Sequence, residues 1–232
     1  MSKVSIIEWA PVTGNGEIIV NEQNCTDGIP VFFNQTNAPQ NVPVPTNAYY
    51  FPTGIARTIN IVGQNNGDVI VTGLSAVNAD NPWPFTVQSE TVTLDGAGAG
   101  TTARIYQNVI SIVPQFTDTL QAGFGSSGIA GYVFMDTNRT AWYATIQGQI
   151  INQTALEYTI YSSLTPLQIP NPIGGSWIDF PTNPAAFEEG TASSTEDQLI
   201  ALTTPVLETW ASITNNTDET FYLTVVQQGL RS

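Results

Sequence analysis

The sequence predicts an all-β protein: two β-sandwich or jelly-roll-like domains, residues 53–125 and 126–232, preceded by an extended N-terminal arm, residues 1–52. Three observations predict it. Short apolar or alternating runs are separated by glycine, proline, asparagine and aspartate at roughly 8–12-residue intervals, the spacing of strands in sandwiches and jelly rolls. No long segment keeps the 3.6-residue period of an amphipathic helix. Apolar residues make up 41% of the 232, enough to bury a core of ordinary size.

Residues 1–52 are dense in breakers: Gly14, Gly16, Gly28, Pro30, Pro39, Pro43, Pro45 and Pro52. In Asn41-Val42-Pro43-Val44-Pro45 each proline fixes its own φ and restricts its predecessor, which favours extended backbone. Two short strands are expected, Glu17–Val20 and Ile29–Phe33. The segment is either tucked onto the first domain or an arm reaching a neighbouring subunit. Ile6, Ile7, Trp9, Val31, Phe32, Phe33, Tyr49, Tyr50 and Phe51 are too apolar to stay solvated, so as an assembly arm they would dock on a neighbour. On that expectation, removing residues 1–50 spares the fold and weakens incorporation.

Residues 53–125 read as consecutive hairpins. Thr58–Val62 and Asp68–Thr72 flank Gln64-Asn65-Asn66-Gly67, an Asn-Gly turn that favours a tight hairpin. Phe85–Leu94 alternates with a change of register midway, the mark of a bulge. Asp95-Gly96-Ala97-Gly98-Ala99-Gly100 then leads into Ile105–Val113. In residues 126–232 the expected strands are Gly131–Met135, Ala141–Ile151, Leu156–Tyr161, Leu207–Ile213 and Phe221–Gln227. A long proline-bearing loop is expected between Tyr161 and Leu199, with one helical turn at Ser194–Leu199 capped by its Ser-Thr-Glu-Asp start. The strand aromatics Trp142, Tyr143, Tyr158 and Tyr161 are expected in the core.

Composition excludes several functions. Only 10% of residues are charged, against about 25% in an average globular protein. Five basic residues against 19 acidic ones give a net charge of -14. Such a surface repels phosphate, so neither nucleic acid nor an anionic membrane is an expected partner. Histidine is absent, which removes Ser-His-Asp and Cys-His triads and His-ligated zinc or haem. The single cysteine, Cys25, leaves no intrachain disulfide. The first residues lack the apolar stretch of a signal peptide, so a protein made and kept in a cytosol, or released by lysis, is expected. The sequons at Asn24, Asn34, Asn138, Asn152 and Asn215 are then chance products of an Asn- and Thr-rich chain.

Three constellations could carry chemistry. Asp95–Thr102 is glycine-rich, but phosphate cradles need a helix after the loop. Here a strand follows and no lysine stands at P-loop spacing, so a hairpin tip that binds no cofactor is expected. Glu188-Glu189 and Glu196-Asp197 bracket a small loop, and Trp177 and Asp179 lie nearby. With Trp83, Trp177 and Trp210 as platforms, a sugar contact through Trp177, Asp179, Glu188 and Glu189 is the competing functional class. Asn78–Asn81 and Asn216–Glu219 carry oxygen ligands suited to calcium, without the spacing of a known loop; they read better as turns, so no metal is expected.

The residues also carry a family likeness. Thr58–Ile61, Asp68–Gly73, Ser89-Glu90-Thr91-Val92-Thr93-Leu94-Asp95-Gly96 and Tyr106–Ile112 together resemble a module of tailed-bacteriophage virion structural proteins. In it a hairpin is followed by a Glu-Thr-Val-Thr-Leu strand, a glycine-rich loop and a further strand. Leu156–Tyr161, Ser176-Trp177 with Phe180-Pro181, and Phe221–Gly229 are similar to a second region often found after it. The likeness spans most of residues 55–229, and residues 1–50 have no counterpart. It implies a non-enzymatic virion component, with no catalytic residues to transfer: a capsid decoration (cement) or head-appendage protein. The implied partners are the major capsid protein or other virion proteins, and further copies of the chain in a homo-oligomer. The alternatives are a neck or tail structural protein, or a carbohydrate-binding β-sandwich used in host attachment. Acidity disfavours the genome-facing interior.

Overall fold

The computed structural model describes residues 3–9, 19–33, 48–51, 55–76, 85–135, 143–151, 156–163, 186–192, 196–202, 206, 208–214 and 220–228. None of these is helical, and the chain is all-β as expected. The first eight strands are β1 (Lys3–Trp9), β2 (Val20–Asn24), β3 (Tyr49–Tyr50), β4 (Ile55–Val62), β5 (Asp68–Ala76), β6 (Thr86–Thr93), β7 (Ala99–Thr101) and β8 (Ile105–Pro114). They are followed by β9 (Thr119–Phe134), β10 (Tyr143–Ile150), β11 (Glu157–Ser163), β12 (Ala186–Ala192), β13 (Gln198–Leu202), β14 (Glu208–Thr214) and β15 (Phe221–Gln228). The chain divides into two units, and the division falls inside β9, after Gly128.

The C-terminal unit is a sandwich of two antiparallel sheets. One has the order β1-β15-β10-β13, the other β12-β11-β14 followed by the second half of β9. Alternation explains the first sheet: Phe221, Leu223 and Val225 of β15 and Ala144, Ile146 and Ile150 of β10 are buried, while their neighbours are not. One face of an antiparallel sheet can stay wet, and period-2 patterning selects which face is buried. Tyr158 of β11 bridges the two sheets. Its ring centroid lies 4.6 Å from that of Phe221, and its hydroxyl donates to the Gly148 carbonyl at 3.2 Å. Burial raises the Tyr158 pKa, so the hydroxyl stays protonated and remains a donor. Trp210 of β14 is fully buried and stacks on Tyr161 of β11 at 5.7 Å between centroids.

In the central unit the first half of β9 is followed by β4, β8, β5 and β6. β2 pairs with β9, β3 with β8, and β7 with β4. Residues Ile55–Ile59 of β4 are buried on both faces, which marks an interior strand. This overturns the expected hairpin between Thr58–Val62 and Asp68–Thr72. The turn forms, with Gly67 N–H donating to the Gln64 carbonyl at 3.0 Å. The strands it joins do not pair, because β8 lies between β4 and β5. The turn is instead tied to the 94–98 loop through Asn66 N–H to Asp95 O, Leu94 N–H to Gly67 O and Gly63 N–H to Gly98 O.

The register shift expected in Phe85–Leu94 is also absent: β5 and β6 pair without interruption from Asp68↔Thr93 to Ser75↔Thr86. The irregularities lie on β8, where Ile110 and Gln107 are passed over in the pairing with β5. The Gln107 carbonyl instead accepts the Phe51 N–H at 3.2 Å. A bulge on β8 thus frees a backbone acceptor for the N-terminal segment.

That segment is where the structure departs most from the sequence expectation. β1 pairs antiparallel with β15 along its whole length, from Lys3↔Gln227 to Trp9↔Phe221. Residues 19–33 and 48–51 belong to the central unit. Ring contacts of 5.1–6.0 Å link Tyr49, Phe51 and Phe124, and the Arg57 guanidinium carbon lies 5.0 Å from the Phe124 centroid. The Cys25 thiol donates to the Asp118 carbonyl at 3.0 Å. The described parts of residues 1–52 are therefore laid onto the body of the same chain. Among the described residues, β1 goes with the C-terminal strands, and residues 19–33 and 48–51 go with 55–76 and 85–128.

Two further expectations are corrected. The helical turn at Ser194–Leu199 is not formed over the described residues 196–199: Gln198–Leu202 is a strand paired with β10, and Asp197 Oδ1 accepts the Ile150 N–H at 2.9 Å. Its alternation, with Leu202 inside and Leu199 and Ala201 outside, has period 2. The long loop between Tyr161 and Leu199 contains β12, which pairs with β11 through a bulge that passes over Glu189. Ile29–Phe33 forms no strand, although Val31 N–H donates to the Ile112 carbonyl at 3.0 Å.

Candidate functional site

The glycine-rich segment is a tight turn between β6 and β7, but not the expected hairpin tip: β6 pairs with β5 and β7 with β4, so the two strands it joins are not partners. Asp95 organises it: one carboxylate oxygen accepts the Ala97 N–H at 2.8 Å and the Ala99 N–H at 2.9 Å, and the Asp95 carbonyl accepts the Gly98 N–H at 2.9 Å. Gly98 adopts φ +77°, and a Cβ there would lie 2.2 Å from the Gly63 carbonyl oxygen. Both facts call for glycine. The amides that would hold a phosphate are thus taken by the loop's own carboxylate.

The Ala99 and Ala97 amides lower the Asp95 pKa from its ordinary 3.8. A depressed folded pKa means that the stabilisation is fully present above the unfolded value and is lost as pH falls from about 4 through the folded pKa. Asp95→Ala is therefore expected to lower Tm by a few degrees at pH 7. Thermal denaturation followed from pH 7 to pH 2 should show the gap to the parent closing on the acid side. A gap independent of pH would show that the Asp95 charge does not hold the tip.

Glu90 of β6 is a second carboxylate committed to structure. It accepts the Ala103 N–H at 3.2 Å, the Arg104 N–H at 3.4 Å and the Tyr106 hydroxyl at 3.1 Å. Burial, then the Glu90 charge, raises the Tyr106 pKa, which keeps this hydroxyl a donor.

The sugar constellation is not assembled by the described residues. Trp177, Asp179 and Trp83 lie outside them, and Glu188 and Glu189 are placed only as backbone of β12. Trp210 is buried beneath Tyr161, so it offers no platform. Both calcium candidates, Asn78–Asn81 and Asn216–Glu219, also fall outside the described residues. Among the described residues no group of three or more Cys, Asp or Glu is placed to hold a metal ion. Of the aromatics expected in the core, Tyr158 is buried and Tyr161 half-buried, whereas Tyr143 is exposed on β10, in register with Gln228. Trp142 lies outside the described residues.

The nine apolar residues of the N-terminal segment separate into groups. Trp9, Val31, Tyr49 and Phe51 are buried within the chain, and Ile7 and Phe33 are half-buried. Tyr50 pairs through its backbone with Asn108. Among the side chains of this set that are described, Ile6 and Phe32, at 61% and 75% exposure, are the ones that face solvent.

Phe32 is held there by a built device. Gln23 Nε2 donates to the Phe32 carbonyl at 2.8 Å, and the Phe32 N–H donates back to Gln23 Oε1 at 3.5 Å. Beside it, Gly28 N–H donates to Pro114 O and Val31 N–H to Ile112 O, with Val31 buried and Ile29 exposed. The loop is pinned from below while two large apolar side chains project from it. An ordered apolar protrusion loses little further entropy on docking, which is what a contact residue needs.

The exposed apolar residues that sequence reasoning missed are Val4, Ile29, Val62, Val87, Ile151 and Leu199. The sequence signal on β1 was inverted. Lys3 and Ser5 stand on the inward side with Ile7 and Trp9, while Val4 and Ile6 point outward, so polarity alone assigns the faces wrongly.

No protein-family model matches the chain, and no curated protein or solved structure is detectably similar to it. Function is accordingly read from the arrangement of its residues.

Proposed function

We propose that this chain is a non-enzymatic structural component of a tailed-bacteriophage virion, a capsid decoration or head-appendage protein that works through protein–protein contacts. The observation that carries the proposal is the pinned, solvent-facing Phe32 beside Ile29. What sets Phe32 apart from an ordinary exposed apolar residue is that both its backbone groups are held by Gln23. The ring is thus presented in a fixed place for a partner to cover. Support also comes from where the virion-like segments fall. Asp68–Gly73, Ser89–Leu94 and Tyr106–Ile112 lie on β5, β6 and β8, three neighbouring strands of one unit. A surface rich in Asn, Gln, Thr and Ser is also cheaper to desolvate in a repeated array than one covered in lysine and glutamate.

Immunogold labelling of purified particles with an antibody to this chain tests the proposal. Label on intact particles is expected; a chain found only in the lysate and never on particles overturns it. Phe32→Ser should leave the thermal transition in place, because the side chain is exposed. It should weaken particle binding roughly 10- to 100-fold, the equivalent of leaving one phenylalanine unburied. Unchanged binding would place the interface elsewhere.

A further inference from the structure

The four-stranded sheet of the C-terminal unit has one face in the core and one whose described side chains are exposed or half-buried. Residues directly opposite in an antiparallel pair share a face. The pairings join Val4, Val226, Thr145 and Ala201 in one outward row, and Ile6, Thr224, Gln147 and Leu199 in the next. None of these side chains is buried. Ile6 is 61% and Leu199 73% exposed. Glu8, at one end of β1, is the sole carboxylate among the outward residues of the four strands, although the chain carries a net charge of -14. The two edge strands form apolar ridges, Val4 and Ile6 on β1 and Leu199 and Ala201 on β13. They stand three strand spacings apart, about 14 Å, with Thr145, Gln147 and Thr224 on the floor between them.

We propose that this face docks a second copy of the chain, sheet against sheet about a two-fold axis; the proposal deepens the contact-making function above and rests on it. Charge selects the occupant. Two acidic copies repel, and they approach at least cost where neither brings a carboxylate. Among the outward residues of these four strands a basic partner would find only Glu8 to pair with. An axis along the strands sets β1 over the β13 of the second copy, and an axis across them sets β1 over β1; either brings the same face of both copies together, as an isologous contact requires. Four strands about 4.8 Å apart and six residues of about 3.4 Å each span roughly 400 Å² per copy. That is about half of what a stable standard interface buries per partner. The dimer is therefore weak and reversible, and is suited to an array in which other contacts add.

Sedimentation velocity of the full chain from about 1 to about 500 µM, at low and high salt, reads this out. Sedimentation should speed up with concentration, and more so at high salt, where repulsion between the copies is screened. Ile6→Glu and Leu199→Glu should each weaken association at least about 10-fold. Val62→Glu, the same change at an exposed position of β4, should not. Circular dichroism confirms that each variant is folded. A monomer at every concentration, dimers unaffected by Ile6→Glu, or equal weakening by Val62→Glu would each overturn the proposal. A monomeric chain that still labels particles sinks this inference alone. A face-dependent dimer that labels no particle sinks the virion proposal and leaves the face standing.

Discussion

A chain that begins at Thr53 is expected to lose its cooperative fold. The deletion removes Trp9, Ile19, Val20, Val31, Tyr49 and Phe51, all buried, together with the seven-residue strand β1. At about 1.5–3 kcal/mol for each large apolar side chain withdrawn from water, six of them contribute roughly 9–18 kcal/mol. That is an upper figure, because the unfolded chain already buries some of this surface. It still matches or exceeds the whole 5–15 kcal/mol margin of a typical domain. The loss falls on both units, since β1 belongs to one and residues 19–33 and 48–51 to the other. Thermal melting followed by circular dichroism should show no cooperative transition, and limited proteolysis should degrade the fragment rapidly. A soluble fragment with a sharp transition would show instead that residues 1–52 are a detachable arm.

Gly131→Ala is expected to be the most damaging single methyl in the C-terminal unit. Gly131 sits on β9 with φ +132°, and a Cβ there would lie 2.6 Å from the Cα of Trp210 and 3.0 Å from Cδ2 of Leu223. The first neighbour is backbone and cannot swing aside. The disfavoured conformation costs roughly 1–2 kcal/mol and overpacking a further 1–3 kcal/mol. A Tm fall of roughly 4–20 °C follows for a chain of this size. Gly96→Ala is the control: nothing lies within 4 Å of its added Cβ, and Tm should stay within about a degree of the parent. Equal effects at the two positions would mean that β9 and β14 are not packed as closely as these distances state.

Strand identity was legible wherever a strand is wet on one face. β15 and β10 show alternation in sequence and in burial, and β5, β6 and β8 were bounded to within a few residues by the glycines, asparagines and prolines around them. β12 was hidden, because Glu188-Glu189-Gly190 breaks alternation and reads as loop; its pairing with β11 absorbs Glu189 as a bulge. β1 was hidden because its inward residues include Lys3 and Ser5. At the chemical sites, the turn at Asp95–Thr102 and the strand after it were legible, but the pairing of that strand with β4 rather than with β6 was not. The commitment of its amides to Asp95 needed coordinates.

The sequence by itself determined the all-β class, the positions of most strands, the strong acidity and the absence of histidine chemistry. These properties are local or additive, set by period-2 patterning, turn residues and composition. Only the tertiary structure decided which strands are neighbours: that β8 separates β4 from β5, that β1 closes onto β15, and that Phe32 stays outside while Val31 goes in. Pairing in a sheet is a contact between residues far apart in the chain. Its free energy depends on what each strand meets across the ladder and on both faces, so no local pattern encodes it.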